Sequence, residues 1–196
     1  LEGGLAPNAA VMSWRGTEGG IAAAQLKHNV VMSPGTHCYF DHYQGLSGEP
    51  KAFGGYTSLE KVYSFEPVPA QLNDEEAKYI MGAQANIWTE QIKTTDHIEY
   101  MLLPRLCALS EVVWSPAKSK NLYDFLGRMS THYDFLTKKG FNFRVPPPIN
   151  EAGELVLDTN DKVVLNPKIN SAKIYYTVVG SEPDINSSVY SEPLTF

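Results

Sequence analysis

Three pairs of polar and aromatic residues in this sequence could do chemistry together. They are Trp14 with Arg15, Tyr39 with Asp41, and Trp88 with Glu90. An indole ring offers a flat apolar face, and a carboxylate accepts hydrogen bonds from hydroxyl groups. Such groups suit a ligand with apolar faces and polar edges, and sugars are ligands of this kind. The alternative for the third pair is that Trp88 is a core residue and Glu90 the solvated start of the next helix, and any one pair alone could be purely structural. Their repetition favours one shared pocket.

Each pair stands near the end of a short apolar run that the sequence predicts to be a strand. The runs are Ala10–Ser13, Asn29–Ser33 and Tyr79–Trp88. Their continuous apolar character is typical of strands buried on both faces of a parallel sheet. The segments between them contain helical patterns, which indicates βα units. In a (β/α) barrel the carboxyl ends of the strands carry the active site, so the three pairs are expected to meet at one edge.

Periodic apolar residues predict the helices. An Ala-rich segment, 17–29, is the first, and an apolar stripe marks the second at Ile98, Leu102, Leu106, Leu109 and Val113. Pro104 lies inside that stripe and predicts a kink or a late helix start. A third helix runs from Leu122 to Leu136 and is expected to stop at Gly140. Thr57 and Glu60 have the spacing of a capping box.

Composition excludes several classes of function. The chain has 196 residues, a formal charge of -6 and 43% hydrophobic residues, with no cluster of Lys or Arg. A nucleic-acid partner is therefore not expected. No apolar run reaches the roughly 20 residues that a membrane-spanning helix needs. Cys38 and Cys107 lack the spacing of a zinc site and are interpreted as buried thiols, so we predict no metal and no cofactor.

Four segments resemble the family 20 glycoside hydrolases, the β-N-acetylhexosaminidases, especially their bacterial members. The segments are "VMSWRGTEGGI", "HCYFDHYQG", "TSLEKVYSFEPVP" and "GAQANIWTEQI…YMLLPRLCALSEVVWS". The resemblance covers Leu1 to about Arg144. It implies an α/β fold in which the three predicted strands are the sixth, seventh and eighth of a (β/α)8 TIM barrel.

The resemblance also implies roles for five residues. Trp14 and Trp88 would form walls around the acetamido group and the sugar ring. Tyr39 would hydrogen-bond the acetamido carbonyl and so support catalysis. Asp41 would help to hold the substrate, and Glu90 would bind hydroxyl groups at its non-reducing end. The expected ligands are glycans that end in N-acetylglucosamine or N-acetylgalactosamine.

One feature of the family has no match in this chain. Such enzymes rely on an adjacent Asp-Glu pair as orienting carboxylate and general acid, and the only "DE" here is Asp74-Glu75, which we predict to lie in a polar loop. We therefore expect the chain to be the C-terminal part of a larger retaining exo-hydrolase that works by substrate-assisted catalysis, and to be inactive alone. The alternative is a non-catalytic carbohydrate-binding fragment or a subunit that completes a partner's barrel.

A change of composition near "RVPPPINEAGE" predicts a domain boundary. Residues 1–145 would be the barrel part, 146–153 a Pro-rich linker, and 154–196 an all-β segment. That segment resembles the start of the β-sandwich that follows the barrel in bacterial relatives, although Val178-Val179-Gly180 replaces the usual Thr-Asp-Gly turn. The first residues do not resemble a signal peptide, but the family suggests a periplasmic or secreted enzyme. Open sheet edges would favour self-association.

Overall fold

The computed structural model describes residues 4–148, 161–169 and 172–195, which belong to two units. The first unit comprises Leu1–Phe125 with Phe141–Arg144. The second comprises Leu126–Gly140 with Val145–Phe196. The first unit contains all five predicted site residues, which are Trp14, Tyr39, Asp41, Trp88 and Glu90, and it also contains Arg15.

The first unit is built on a three-stranded parallel sheet. The strands are β1 (Val11–Ser13), β2 (Val30–Met32) and β3 (Ile80–Ala83), in the order β1-β2-β3. Both pairings are parallel, as the alternation of apolar runs and helical patterns predicted. The strands are shorter than the sequence predicted, most of all β3, because regular pairing stops after Ala83 although the apolar run continues to Trp88.

Seven α-helices are present among the described residues. They are α1 (Glu18–Gln25), α2 (Gly35–Cys38), α3 (Leu59–Tyr63), α4 (Asp74–Ala77), α5 (Thr95–Leu102), α6 (Arg105–Trp114) and α7 (Leu122–Lys139). Helix α1 buries Ala23 and Ala24, which are small enough for close packing. The predicted stop of α7 is confirmed, because the helix ends just before Gly140. Gly140 has φ = 77°, a left-handed conformation that glycine adopts without steric cost.

Pro104 separates two helices, which confirms the predicted interruption and corrects the predicted stripe. Helix α5 ends before Pro104 and α6 begins after it. The buried positions of α6 do not continue the spacing of the stripe before the proline. In α6 the buried positions are Arg105, Ala108, Leu109 and Val112, spaced three, one and three residues apart. Leu106, which the single stripe placed in the core, is 41% exposed. A stripe cannot be extended across a proline that ends a helix.

The predicted capping box at Thr57 and Glu60 is wrong. Helix α3 is capped one residue later, by Ser58, whose hydroxyl accepts a hydrogen bond from Lys61 N–H at 3.2 Å. Thr57 is fully buried, and its hydroxyl bonds His42 instead. Thr57 and Ser58 are both residue types that cap helices, so the sequence alone does not distinguish them. Because Thr57 is buried with its hydroxyl group on His42, Ser58 is the cap.

The Ser58→Ala substitution should lower the free energy of unfolding by about 0.5–2 kcal/mol, since it removes the only side-chain cap of α3. Urea unfolding followed by circular dichroism would measure the change. Ser47→Ala is a matched control, because Ser47 is exposed and its hydroxyl has no partner among the described residues. Equal effects of the two substitutions would contradict the role of Ser58.

Asp74 and Glu75 lie in a helix rather than in the polar loop that the sequence predicted. They form the first turn of α4, where Asn73 and Glu76 make a complete capping box. The helix leads directly into β3, and Tyr79, which precedes that strand, accepts a hydrogen bond from Val30 N–H. Asp74 and Glu75 therefore belong to the amino-terminal edge of the sheet.

The described part of residues 161–195 forms short antiparallel strand pairs. Strand β4 (Lys162–Val163) pairs with β7 (Leu194–Thr195), and β5 (Tyr175–Tyr176) pairs with β6 (Ser188–Val189). These pairs agree with the strand-rich composition of the segment. Most of the predicted linker and the beginning of the predicted all-β segment lie outside the described residues, so the predicted domain bounds stay predictions.

The two thiols differ in burial. Cys38 is fully buried, as predicted, and desolvation raises its pKa to about 12. Cys107 is only partly buried. Within the described ranges, no cluster of three or more His, Cys, Asp or Glu side chains could hold a metal ion. In the same part of the chain, every helix is too short or too polar to cross a bilayer.

Candidate functional site

The carboxyl ends of β1, β2 and β3 meet at one edge of the sheet, and hydrogen bonding continues beyond the strands. Gly35 N–H donates to Trp14 O at 2.9 Å, which joins the chain after β1 to the chain after β2. Asn86 N–H donates to Cys38 O, and Phe40 N–H donates to Asn86 O, both at 2.7 Å. The backbone at Tyr39 thus runs parallel to the backbone at Asn86. All three predicted pairs follow strands at this same edge.

A hollow of about 490 Å³ opens at this edge. Seven residues line it: Trp14, Arg15, Gly35, Thr36, Tyr39, His42 and Tyr56. Its size falls in the range of small-molecule sites, and its lining mixes aromatic faces with a few polar groups, as such sites do. Trp14 is 48% exposed, and the Arg15 guanidinium lies 4.8 Å from the centre of its ring. Two of the five predicted site residues, Trp14 and Tyr39, therefore share one concave surface.

His42 is a lining residue that the sequence reasoning missed. Its ring is tilted against that of Tyr39, with 5.7 Å between ring centres, and its Nδ1 lies 3.0 Å from Thr57 Oγ1. Gly55, at φ = 68°, approaches so closely that a Cβ there would lie 2.8 Å from the ring. Desolvation lowers the pKa of His42, and the charge of Arg105 acts in the same direction, whereas Asp41 opposes both. The net effect lowers the pKa of His42 and so favours the neutral ring.

Asp41 lies beneath this surface and is not among the lining residues. It is 2% exposed, and its Oδ1 has no hydrogen-bond partner among the described residues. Desolvation raises the pKa of Asp41, and the nearby charge of Glu90 raises it further. Its own backbone N–H, His42 and Arg105 act in the opposite direction. A buried acceptor oxygen without a donor is uncommon in proteins and is a place where a ligand hydroxyl would be stabilised.

Trp88 and Glu90 are exposed rather than packed under the following helix. Trp88 is 54% exposed, which excludes a core position. Glu90 is exposed too and makes no hydrogen bond with the described residues. Helix α5 begins only at Thr95 and is capped by Thr94, whose hydroxyl accepts from His97 N–H at 3.1 Å. Glu90 is therefore not a helix-start residue, and that alternative is wrong.

A polar network lies behind the exposed side chains. Asn86 is buried and donates from Nδ2 to Ser33 Oγ at 2.7 Å. Gln84 Nε2 donates to Asn86 Oδ1, and Ser33 Oγ donates to Gln84 O, both at 2.8 Å. These bonds connect the ends of β2 and β3. Trp88 thus follows a segment that is hydrogen-bonded to the chain after β2.

The model of the catalytic domain of glycosyl hydrolase family 20 matches residues 2–117, which is more than half of the chain. The chain belongs to this family. The model of the chitobiase/β-hexosaminidase C-terminal domain matches residues 152–196. The first match covers the sheet, the hollow and all of α6, and it agrees with the resemblance that the sequence motifs indicated.

Two curated members of family 20 illustrate the similarity. A β-hexosaminidase of Porphyromonas gingivalis is 41% identical over 200 residues, which cover 100% of this chain and 26% of that protein. A β-N-acetylhexosaminidase of Cellulomonas fimi is 31% identical over 134 residues, 68% of this chain and 27% of that protein. The chain thus spans about a quarter of the length of these relatives.

Solved structures of family 20 enzymes have the same fold over most of the chain. A Vibrio harveyi exo-β-N-acetylglucosaminidase in complex with N-acetylglucosamine has a TM-score of 0.61 and 32% identity, covering 69% of this chain and 22% of that one. A Streptomyces plicatus N-acetyl-β-hexosaminidase in complex with Thio-NAglucal has a TM-score of 0.61 and 26% identity, covering 69% and 29%. The sheet and helices are consistent with a portion of a TIM barrel.

Proposed function

We propose that this chain forms part of the sugar pocket of a longer protein, a retaining exo-β-N-acetylhexosaminidase. The observation that carries the proposal is the shared hollow of Trp14 and Tyr39, two residues from different strands, in a chain of family 20. The names of the relatives support the reaction, and the N-acetylglucosamine bound by the Vibrio harveyi enzyme supports the substrate. The substrates would be glycans with a terminal β-linked N-acetylglucosamine or N-acetylgalactosamine.

In this proposal each of the five residues has one role. Trp14 and Trp88 cover the apolar faces of the acetamido group and the ring. Tyr39 donates a hydrogen bond to the acetamido group, whose oxygen attacks the anomeric carbon in place of an enzyme nucleophile. Charge develops on that group during the attack, so the bond from Tyr39 strengthens in the transition state. Asp41 and Glu90 accept hydrogen bonds from sugar hydroxyl groups.

The finer architecture belongs to the same proposal. Strands β1, β2 and β3 would be the sixth, seventh and eighth strands of the barrel. Residues 1–145 would end the barrel, and after a linker at 146–153 the segment 154–196 would start a β-sandwich, which the C-terminal-domain match at residues 152–196 supports. A periplasmic or secreted location follows from the family alone.

Hydrolysis of 4-nitrophenyl N-acetyl-β-glucosaminide and N-acetyl-β-galactosaminide by the full-length protein tests this function. Release of 4-nitrophenol, with the β-anomer of the sugar as the first product by NMR, is the expected result. Absence of hydrolysis of both substrates, or an α-anomer as the first product, would overturn the proposal.

The 196-residue chain by itself should not hydrolyse either substrate. Its only adjacent Asp-Glu pair, Asp74-Glu75, belongs to the amino-terminal edge of the sheet, whereas the hollow lies at the other edge. The same assay with the purified chain measures this, with the full-length protein as the positive control. Turnover by the chain alone would assign the acid to Asp41 or Glu90.

A further inference from the structure

Arg105 is a charged residue in a fully buried position. It is 0% exposed and opens helix α6. Its Nη1 donates to His42 O at 3.1 Å and to Thr57 O at 3.0 Å. Its Nη2 donates to Phe40 O and Met101 O, both at 2.6 Å, and its Nε donates to Met101 O at 3.2 Å. The guanidinium also lies 4.8 Å from the centre of the Phe40 ring.

These hydrogen bonds fix the backbone on both sides of Asp41. The carbonyl groups of Phe40 and His42 belong to the residues that flank Asp41, and one guanidinium holds both. The third loop carbonyl, that of Thr57, belongs to the residue whose hydroxyl bonds His42. A planar fork of five N–H groups can hold diverging carbonyl groups at once, and an ammonium group cannot reproduce that geometry.

Arg105 makes no direct ion pair with any described residue. Among the described residues, no carboxylate lies within ion-pairing distance of it, and Glu49 is paired with Arg144 at 2.6 Å. Tyr100 donates to the other oxygen of Glu49 at 3.1 Å. The charge of Arg105 acts on Asp41 at longer range and favours its ionised form. Burying an arginine is costly unless its donors are satisfied, and here carbonyl groups satisfy them.

We propose that Arg105 is the positioning residue for Asp41: by holding the carbonyl groups of Phe40 and His42 it sets where the Asp41 carboxylate meets the substrate. This inference rests on the proposed function, because it needs Asp41 to contact the sugar. Arg105 itself is fully buried and is not among the residues that line the hollow. Its contribution to kcat/KM therefore passes through Asp41, which separates it from a residue that only stabilises the fold.

Arg105→Lys in the full-length protein tests the first part. Lysine keeps the positive charge but lacks the planar guanidinium that holds several carbonyl groups at once. We therefore expect kcat/KM to fall by about tenfold or more. Val112→Ala is the matched control, because Val112 is buried on the same helix and is not among the residues that line the hollow. Val112→Ala should lower the melting temperature without lowering kcat/KM at 25 °C. Unchanged kcat/KM in Arg105→Lys would overturn the proposal.

A double-mutant cycle with Asp41→Asn tests the second part. If Arg105 acts through Asp41, adding Arg105→Lys to Asp41→Asn should change kcat/KM by less than about threefold. A loss as large as that in the wild-type background would show a general structural role and overturn the proposal. The cycle requires that the wild-type full-length protein hydrolyses the two chromogenic substrates. Absence of this hydrolysis would overturn the proposed function, whereas active protein with an additive cycle would overturn only the role of Arg105.

Discussion

Glu90→Gln is expected to lower kcat/KM of the full-length protein for terminal N-acetylhexosaminides by about tenfold to a hundredfold for each hydrogen bond lost. A charge-assisted hydrogen bond contributes roughly 1.5–3 kcal/mol, and about 1.4 kcal/mol corresponds to a factor of ten. The melting temperature should hardly change, because Glu90 is exposed and makes no hydrogen bond within the described part of the chain. Steady-state kinetics and thermal unfolding of the same protein preparation would measure both effects.

Glu75→Gln is the matched control for this substitution. Glu75 is also exposed, its carboxylate pairs with Lys78 and with no other described residue, and it belongs to the opposite edge of the sheet. The pH dependence gives a second readout. The charge of Glu90 raises the pKa of Asp41, so its removal should lower that pKa and move the acid limb of the kcat/KM profile to lower pH. Full activity of Glu90→Gln would show that the Glu90 carboxylate does not bind the substrate.

Tyr39→Phe should lower kcat of the full-length protein by about tenfold or more. The change deletes one hydroxyl group and keeps the ring, which lines the hollow and lies against His42. If the hydroxyl group stabilises charge that develops on the acetamido group, the loss appears mainly in kcat rather than in KM. Saturation kinetics with the chromogenic glucosaminide would separate the two constants.

Tyr123→Phe provides the comparison for Tyr39→Phe. Tyr123 lies in the first turn of α7 and is highly exposed, so its hydroxyl group should contribute neither to kcat nor to stability. A rise in KM with kcat unchanged, or no change in either constant for Tyr39→Phe, would show that the Tyr39 hydroxyl group does not stabilise the transition state.

The sequence was sufficient to predict the parallel sheet and the edge at which the polar and aromatic pairs lie. Short apolar runs and helical periodicity are local signals, and the structure bears them out at β1, β2, α1 and α7. The length of β3 was not predictable in the same way. The run from Tyr79 to Trp88 is apolar apart from Gln84 and Asn86, and its sequence does not show that regular pairing with the neighbouring strand ends after Ala83.

Burial of polar residues was the part of the site that the sequence could not predict. Arg105 stands beside Leu106, and the usual pattern places the leucine inside and the arginine outside, whereas the structure has the reverse. The reason is non-local, since carbonyl groups of residues 40, 42 and 57 satisfy the guanidinium. The position of His42 in the site was not predicted for a similar reason, because its neighbours Gly55 and Thr57 are distant in the sequence.

The continued backbone pairing at the carboxyl edge has a consequence for how this site can diversify. Neighbouring strands lie about 4.8 Å apart, and that spacing extends past the strands to Tyr39 and Asn86. The backbone positions of Trp14 and Tyr39 are therefore set by main-chain hydrogen bonds and do not depend on which side chains these positions carry. The ends of the loop between His42 and Tyr56 are held in the same way, because Tyr43 N–H donates to Gly55 O at 3.3 Å and Tyr43 pairs with Tyr56. If the hollow binds sugars as proposed, exchange of its lining side chains can change the sugar preference while this backbone frame is inherited unchanged.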